Sequence, residues 1–399
     1  MRDSQLNQEI SAMKSLVFAI SILFLIPDFS HACSMYKITK DGKTIVGNNE
    51  DWISPNSKFW FKQGGKDQHD VVYMGQLNEF AQGAMNSQGL VFDGFATDYL
   101  AVNNSEGKLS TPIGEAVRNI MRTMSNVSEV RDYLATIDLG FLVTGMIVFV
   151  DKTGDYLIVE GEELILGSES EQCFSNFYYS QIESTDEVEL ANFKNGMKYL
   201  SESDGNASID YTSDVMESMM SQEDLTQYTT VYDLQELKVR VYLFHDYTNF
   251  VEFTLDEKIQ EGNHQVMIAD LFPKDSPGYA NYLNYNDPKN PTGFLKNLIG
   301  EESLTEEEFE EMGFSWMVNT IGYEWLSDKE DSEGAVEIFK FGTELMPNNA
   351  NLFDSLGEAY FTNEDYEKSK LAYEQSLTLN PENEGAKVKL EELSQLQKK

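Results

Sequence analysis

The stretch CSMYKITKDGKTIVGNNEDW, residues 33–52, decides the fold prediction because it contains a complete β-hairpin. Polar and apolar residues alternate on both sides of Asp41-Gly42, a dipeptide that strongly favours a two-residue hairpin turn. The hairpin reverses the chain, so its second strand can return Asp51 to the neighbourhood of Cys33. The sequence therefore predicts that a thiol and a carboxylate meet at one end of this hairpin.

Further alternating runs extend the sheet, and helical patterns lie between them. Two more hairpins are predicted, at 146–150 with 156–159 and at 239–244 with 250–255. Helices are predicted from a start at Ser110-Thr111-Pro112 and over 128–136, 188–202 and 208–221. Antiparallel strands with helices clustered between them indicate an α+β layered domain over residues 33–272.

The C-terminal part of the chain carries an internal repeat. Residues 273–315 are turn-rich and acidic and are predicted to connect to a small α-helical segment, residues 316–399. This segment is predicted to hold two tetratricopeptide (TPR) repeats and a capping helix. The TPR spacing is matched by Phe353, Leu356, Gly357, Tyr360, Ser369, Tyr373, Ser376 and Pro381. Part of the pattern occurs 34 residues earlier, at Ala335, Phe339, Gly342 and Pro347.

The first 32 residues have the pattern of an export signal. Residues 16–27 are an uncharged apolar run that follows a lysine and is too short to span a bilayer comfortably. Ser30 and Ala32 are the small residues that a signal peptidase needs before its cleavage site. We therefore expect residues 1–32 to be a signal peptide, Cys33 to become residue one, and the mature protein to be periplasmic or secreted.

Composition limits the classes of partner. The formal net charge is −39, from 68 acidic and 29 basic residues, which disfavours contact with phosphate backbones and anionic lipids. We expect no nucleic-acid partner and no membrane span after signal removal. The acidic surface is interpreted as keeping the protein dispersed, with attraction of a cationic substrate as the alternative. Only four histidines are present, which disfavours His-based catalysis or a His-rich metal site.

A cysteine at the start of a chain carries its own general base. A thiol is a strong nucleophile only as a thiolate, and its usual pKa of about 8.5 leaves little thiolate at neutral pH. The free α-amine of the same residue, with a pKa of about 8, can take the proton. Asp51 is placed to orient that amine. Asparagine side chains and backbone N–H groups can stabilise the oxyanion that forms.

These motifs resemble the linear amide C–N hydrolases, the choloylglycine hydrolase and penicillin V acylase group of the N-terminal nucleophile (Ntn) hydrolases. The resemblance begins with Cys33-Ser34, the Asp41-Gly42 turn and the run Gly47–Trp52. Further matching segments are Gly83–Leu90, Phe149–Asp155, Val159-Glu160, Ser175–Phe177, Thr229–Asp233 and Leu271-Phe272. The resemblance covers residues 33–272, is specific at its first motif and becomes looser downstream.

The resemblance implies a four-layer αββα sandwich and hydrolysis of a linear, non-peptide amide through a covalent acyl-enzyme. It implies that Cys33 is the nucleophile, that its amine is the base and that Asp51 orients the amine. Asn176 would donate to the oxyanion, and the backbone near Phe95 and Ala96 would supply a second donor. No metal or organic cofactor is implied, and the expected partner is a small-molecule amide substrate.

The chain departs from the family at two arginines. Asn48 stands where bile-salt hydrolases and penicillin V acylases have an arginine, and a later family arginine matches Asn192 or lies near Lys194. These differences disfavour bile salts and penicillins as substrates and leave amide hydrolysis in place. Asn49 and Asn86 belong to the same neighbourhood, where a structural role is favoured over a catalytic one.

Three other interpretations of the same features are open. Cys33 could carry lipid as in bacterial lipoproteins, although Ser30 stands where a leucine-like residue is usual. It could form a disulfide with Cys173, the second cysteine of the chain. The front domain could also be inactive, which would leave a non-catalytic interaction protein whose TPR segment binds a protein or peptide or self-associates.

We expect the exported protein to begin with an unmodified Cys33, because the small residues before it fit signal-peptidase cleavage at that bond. Intact mass and N-terminal sequencing of the protein exported from a bacterial host measure this directly. A lipid on Cys33 would remove the free amine and contradict the amidase interpretation.

Overall fold

The structure is a computed structural model, and it describes residues 33–220, 226–300 and 304–396. The predicted signal peptide, residues 1–32, lies outside these ranges. The chain divides into two compact units, one ending at Leu283 and the other starting at Asn284. Among the described residues, no helix is both long enough and apolar enough to cross a membrane.

The strands belong to the first unit and are numbered in chain order. Their bounds are Ser34–Lys40 (β1), Lys43–Asp51 (β2), Ser57–Lys62 (β3), Val71–Gln76 (β4), Ala81–Asn86 (β5), Val91–Ala96 (β6), Leu109–Ser110 (β7), Ile137–Asp138 (β8), Gly145–Val150 (β9), Tyr156–Glu160 (β10), Glu163–Gly167 (β11), Glu171–Ser175 (β12), Thr226–Asp233 (β13), Lys238–Leu243 (β14), Asp246–Thr254 (β15) and His264–Met267 (β16).

The α-helices are numbered in the same way. Their bounds are Ile113–Thr123 (α1), Val127–Leu134 (α2), Ala191–Glu202 (α3), Ile209–Ser218 (α4), Leu255–Ile259 (α5), Pro277–Tyr285 (α6), Gly293–Ile299 (α7), Glu306–Glu311 (α8), Phe314–Tyr323 (α9), Ser332–Leu345 (α10), Ala350–Thr362 (α11), Tyr366–Leu379 (α12) and Glu384–Leu396 (α13). Short 3₁₀ turns cover Gly140–Leu142, Tyr179–Gln181, Thr185–Glu187 and Ala269–Leu271, and a π-helical turn, Glu324–Asp328, continues α9.

Two antiparallel sheets form the first unit. The smaller has the order β12-β1-β2-β13-β14-β15 and the larger has the order β11-β10-β9-β6-β5-β4-β3-β16, while β7 and β8 pair separately. The hairpin predicted at Asp41-Gly42 is the β1–β2 pair, and both turn residues have positive φ, 53° and 76°, as a type I′ turn requires. The other two predicted hairpins are β9–β10 and β14–β15, so all three are confirmed.

Three apolar layers hold this unit together. The middle layer lies between the sheets and includes Met35 and Phe174 from the smaller sheet and Phe59 and Val148 from the larger. The other two layers lie under α1 and α2 on the larger sheet and under α3 and α4 on the smaller. Because side chains alternate across a strand, Met35 enters the middle layer and Tyr36 enters the layer under α3 and α4. The predicted α+β class is confirmed.

Residues 273–283 pack with the first unit, although the sequence assigned them to a connector. Gly278 lies so close to β14 that a Cβ there would come within 2.6 Å of the Leu243 carbonyl oxygen. Tyr279 and Tyr282 pack against the middle layer. The acidic run of the connector forms α8, where Phe309 is buried and most glutamates are exposed.

The second unit repeats one helical arrangement. Helices α10 and α12 begin 34 residues apart, at Ser332 and Tyr366, and α11 and α13 begin the same distance apart. Small residues lie where helices α11 and α12 meet. The Tyr373 ring covers Gly357, and Ser369 Oγ donates to the Gly357 carbonyl oxygen at 2.7 Å. The assignment of these helices to the TPR family stays a prediction.

We expect Gly47→Ala to destabilise the fold by about 1–3 kcal/mol, because β2 has no room for a side chain beneath α4. The added Cβ would lie 2.4 Å from Met216 Cγ and 2.9 Å from Thr212 Cγ2. Urea unfolding of this variant is compared with that of Gly65→Ala, whose Cβ would meet nothing within 4 Å. Equal unfolding midpoints for the two variants would contradict the close packing of α4 on β2.

Candidate active site

Cys33 lies immediately before β1, in the middle layer, and its side chain is almost fully buried. Its Sγ is 3.9 Å from Glu50 Oε1 and 3.8 Å from the backbone oxygen of Asp51. On the other side, Ser175 Oγ donates to the Cys33 carbonyl oxygen at 3.1 Å. Since β1 pairs with β2 and with β12, Cys33 is held between two neighbouring strands.

Glu50 and Asp51 are neighbours in β2, but their carboxylates have different partners. Glu50 Oε1 accepts hydrogen bonds from the Cys33 thiol and from the side-chain amide of Gln82. Asp51 Oδ1 accepts from the Thr226 hydroxyl at 2.5 Å, on the neighbouring strand β13. Because side chains alternate along a strand, only one of the two carboxylates shares the face of the Cys33 thiol. That residue is Glu50.

Burial dominates the electrostatics of this site. It raises the pKa of the Cys33 thiol well above its ordinary value, and the carboxylates of Glu50, Asp51 and Asp93 raise it further. Burial also raises the pKa of Glu50 and of Asp93, and it raises the pKa of Asp51 to about 8. Within the described residues, no lysine or arginine forms an ion pair with these three carboxylates. In the full-length chain, this environment therefore disfavours the thiolate form of Cys33.

Asn176 and Ala96 meet beside Cys33. Asn176 directly follows Ser175, which pairs with Ser34, so Asn176 lies opposite Cys33 across the β1–β12 pair. Asn176 Nδ2 donates to the carbonyl oxygen of Ala96, at the end of β6, with a distance of 2.7 Å. Its Oδ1 is buried and has no hydrogen-bond partner among the described residues. The structure thus brings three of the predicted site residues together.

Asn48 and Asn49 lie on opposite faces of β2. Asn48 is 2% exposed, and its Oδ1 has no hydrogen-bond partner in the described part of the chain. Asn49 faces α4, where its Nδ2 donates to Ser34 Oγ at 3.1 Å and to the Met216 carbonyl oxygen at 2.9 Å. Its Oδ1 accepts from the Thr229 hydroxyl at 2.7 Å. These bonds give Asn49 a structural role, because they tie β2 to a helix and to β13.

Asn86 and Asn192 do not contact the Cys33 thiol. Asn86 Nδ2 donates to the carbonyl oxygens of Met121 and Met124 at 3.1 and 2.8 Å, which ties the end of β5 to the end of α1. Asn192 lies in α3, and its Nδ2 donates to Ser175 Oγ at 3.3 Å. Since Ser175 in turn bonds the Cys33 carbonyl oxygen, Asn192 is linked to Cys33 through one hydroxyl.

Four residues around the thiol have no site role predicted from the sequence: Glu50, Gln82, Asp93 and Tyr228. Gln82 bonds Glu50, Tyr228 pairs with Glu50 across β13 and β2, and the charge of Asp93 acts on both Cys33 and Glu50. Signals for two of them exist in the sequence. Glu50 lies four residues after the core residue Val46 in one strand, so the two side chains are on the same face of the sheet. Asp93 interrupts an apolar run.

Cys173 lies on the other face of the smaller sheet from Cys33. It belongs to β12 and to the layer under α3 and α4, where its Sγ is 4.0 Å from Met219 Sδ. Both cysteines are free thiols. The disulfide interpretation is therefore wrong for this structure, because the sheet separates the two side chains.

Comparisons with known proteins give similarities to solved structures. No family model and no curated protein matches the chain. The structure of penicillin V acylase from Agrobacterium tumefaciens is 14% identical, with 56% of this chain and 86% of that chain covered and a TM-score of 0.43. A mutant conjugated bile acid hydrolase from Clostridium perfringens is 17% identical, with 59% and 96% covered and a TM-score of 0.41. Likeness at this level carries no conclusion about function.

The pKa of Asp51, raised to about 8 by burial, makes stability depend on pH. The protonated carboxyl favours the fold, so its contribution is complete below the ordinary pKa of about 4 and is lost as pH rises through 8. We compare the free energy of unfolding of Asp51→Asn with that of the native sequence, both as full-length chains. The difference is expected to rise in favour of the variant between pH 4 and pH 8. The expected gain is at least about 1.4 kcal/mol, the value of one pKa unit.

Urea unfolding at the two pH values measures this gain. The matched control is Asp67→Asn, which removes the same charge from an exposed position. If both variants followed the native pH dependence in parallel, the buried state of the Asp51 carboxyl would be contradicted.

Proposed function

We propose that the chain is an exported Ntn amidohydrolase that cleaves a linear carbon–nitrogen amide bond with Cys33. The observation that carries the proposal is the position of this cysteine, between Glu50 on β2 and Asn176 after β12. Its motifs also resemble those of the linear amide C–N hydrolases. Activity begins when residues 1–32 are removed and the α-amine of Cys33 becomes free.

The reaction is acyl transfer in two halves. Asp51 orients the freed α-amine, which accepts the thiol proton, and Cys33 Sγ attacks the amide carbonyl carbon. The carbonyl oxygen becomes an oxyanion, which Asn176 Nδ2 and a backbone N–H near Ala96 stabilise. The proton passes to the departing nitrogen, the C–N bond breaks and a thioester remains on Cys33. Water then hydrolyses the thioester and restores the thiol.

The role of Asn176 requires its amide group to turn. Its Nδ2 now donates to the Ala96 carbonyl oxygen, so it has to leave that acceptor to reach a substrate oxygen. Rotation about the last side-chain torsion is soft, because sp³–sp² torsions are broad. The turn therefore needs no movement of β12.

The substrate we propose is a small linear amide other than a bile salt or penicillin. Asn48 replaces an arginine of those enzymes, and its uncharged side chain in the middle layer offers no cation for an acidic substrate. The protein acts in the periplasm or outside the cell. The helical segment 316–399 is proposed to serve a protein or peptide partner or self-association.

Cys33→Ala is expected to lower amide hydrolysis by about 1,000-fold or more, because it removes the nucleophile. Release of amine from a panel of acylated amines measures the activity of the mature protein. Intact mass after an acid quench detects the acyl group on the native enzyme. Activity is expected to survive EDTA and to disappear after thiol alkylation.

Cys173→Ala is the matched control, since it removes the other buried thiol on the far face of the sheet. This variant should keep its hydrolysis and its sensitivity to alkylation. Hydrolysis that survives Cys33→Ala, or that EDTA abolishes, would contradict the mechanism. A native mature protein without hydrolysis, whose partner binding is unchanged by Cys33→Ala, would favour the interaction-protein alternative.

A further inference from the structure

A group of buried oxygen atoms that lack hydrogen-bond partners lies around the Cys33 thiol. The atoms belong to residues of both sheets, and each of these residues is 1–8% exposed. The atoms of this group that have no hydrogen-bond partner in the described part of the chain are Glu50 Oε2, both carboxylate oxygens of Asp93, Gln82 Oε1, Asn48 Oδ1 and the Tyr228 hydroxyl. We call these five residues the acceptor cluster.

Such a cluster is unstable without a donor. Buried polar groups are normally hydrogen-bonded, and leaving one without a partner destabilises the fold. Two buried carboxylates close together cannot both ionise unless a cation neutralises them. No lysine or arginine supplies that charge within the described residues. The cluster therefore fits a small group that combines positive charge with several N–H donors.

The chain itself can supply this group at the right place. In the antiparallel β1–β2 pair, Ser34 lies opposite Asn49. The same register places the preceding residue, Cys33, opposite Glu50. The backbone nitrogen of Cys33 thus lies at the end of β1 beside the strand that carries Glu50. Once residue 32 is removed, that nitrogen becomes an α-ammonium, which has one positive charge and three donors.

We infer that Glu50, supported by Asp93 and Gln82, anchors the α-ammonium of mature Cys33 and thereby positions the nucleophile. This inference rests on the proposed function, because it needs Cys33 to be the first residue. It assigns Glu50 a positioning role that is separate from that of Asp51. The Asp51 carboxylate accepts from Thr226 through Oδ1, and its Oδ2 is buried without a hydrogen-bond partner in the described part of the chain. Of the two carboxylates, only that of Glu50 contacts the Cys33 thiol.

The pairing of Glu50 with the α-ammonium links the removal of residues 1–32 to activation of the enzyme. Before removal, burial raises the pKa of Glu50, of Asp93 and of the Cys33 thiol, which favours the protonated form of each group. After removal, the new amine takes the proton of the Glu50 carboxyl, which leaves an ammonium–carboxylate pair with no net change in charge. During the reaction the ammonium first returns its proton to the Glu50 carboxylate, and the neutral amine so formed then accepts the thiol proton.

The test measures the α-amine itself, without catalysis. A protein whose N-terminus is set at residue 33 by cleavage of a removable leader is prepared with Cys33→Ser, so that no thiol competes. Cyanate carbamylates only the neutral amine, and peptide mass spectrometry follows its reaction with the N-terminus across pH 5–9. Since a neighbouring carboxylate raises an amine pKa by about 1–3 units, Glu50→Gln should accelerate the reaction at pH 7 by about tenfold or more.

Matched variants identify the anchoring residue. Asp93→Asn should accelerate carbamylation less than Glu50→Gln does, because its carboxylate acts through Glu50. Asp51 orients the amine in the proposed mechanism, whereas Glu50 is inferred to pair with its charge, so Asp51→Asn should accelerate carbamylation less than Glu50→Gln does. A large effect of Asp51→Asn with no effect of Glu50→Gln would overturn the inference and place the ammonium on Asp51. Urea unfolding of each variant verifies that it is folded.

Kinetics of the mature Cys33 enzyme separates this inference from the proposed function. Glu50→Gln should lower kcat at least tenfold, leave KM within twofold and shift the acidic limb of the pH profile. A rise in KM confined to substrates that carry an ammonium group would mean that the cluster binds the substrate, and would overturn the inference. Full activity of Cys33→Ala would sink the proposed function itself, whatever the carbamylation rates show.

Discussion

The Cys33 thiol and the Glu50 carboxylate meet 3.9 Å apart inside an apolar layer, and this contact constrains everything around it. Removing carboxylates from water is costly unless charge and hydrogen bonds compensate. Asp93 and Gln82 approach the same point from the larger sheet, so the two sheets meet through polar groups here instead of through packed methyl groups. The site is therefore held by the sandwich as a whole and not by a single loop.

Much of the fold follows from local sequence. The Asp41-Gly42 turn, the alternation on its two strands and the proline-led start of α1 are short-range signals, and the structure has each element at the expected place. The extension of the first unit to Leu283 could not be predicted in this way. It depends on Gly278 and two tyrosines packing against strands far away in the chain, and no periodicity reports such contacts.

The site was predictable in part for the same reason. The turn alone brings Cys33 to the end of β2, where its Sγ lies 3.8 Å from the backbone oxygen of Asp51. The carboxylate that contacts the thiol there is that of Glu50 and not that of Asp51. Asn176 required the resemblance to a family, since β12 reaches β1 only in the tertiary fold. Asp93 belongs to the opposite sheet, so its approach to Glu50 depends on how two sheets stack. The alternation of side chains along β2 indicates that Glu50 faces the core. Buried glutamates are rare, so this pattern alone does not make Glu50 a candidate site residue.

The hydrogen bond from Ser175 to the Cys33 carbonyl oxygen has a consequence for the proposed maturation. Chain ends normally fray, because nothing beyond them holds the last residues in place. A terminus created at Cys33 is instead fixed between two strands from the moment the peptide bond breaks. Trimming one residue too early or too late would displace the terminal nitrogen by about 3.4 Å, the rise of one strand residue. The accuracy of the processing peptidase, and not the amount of folded protein, would then set the fraction of active molecules.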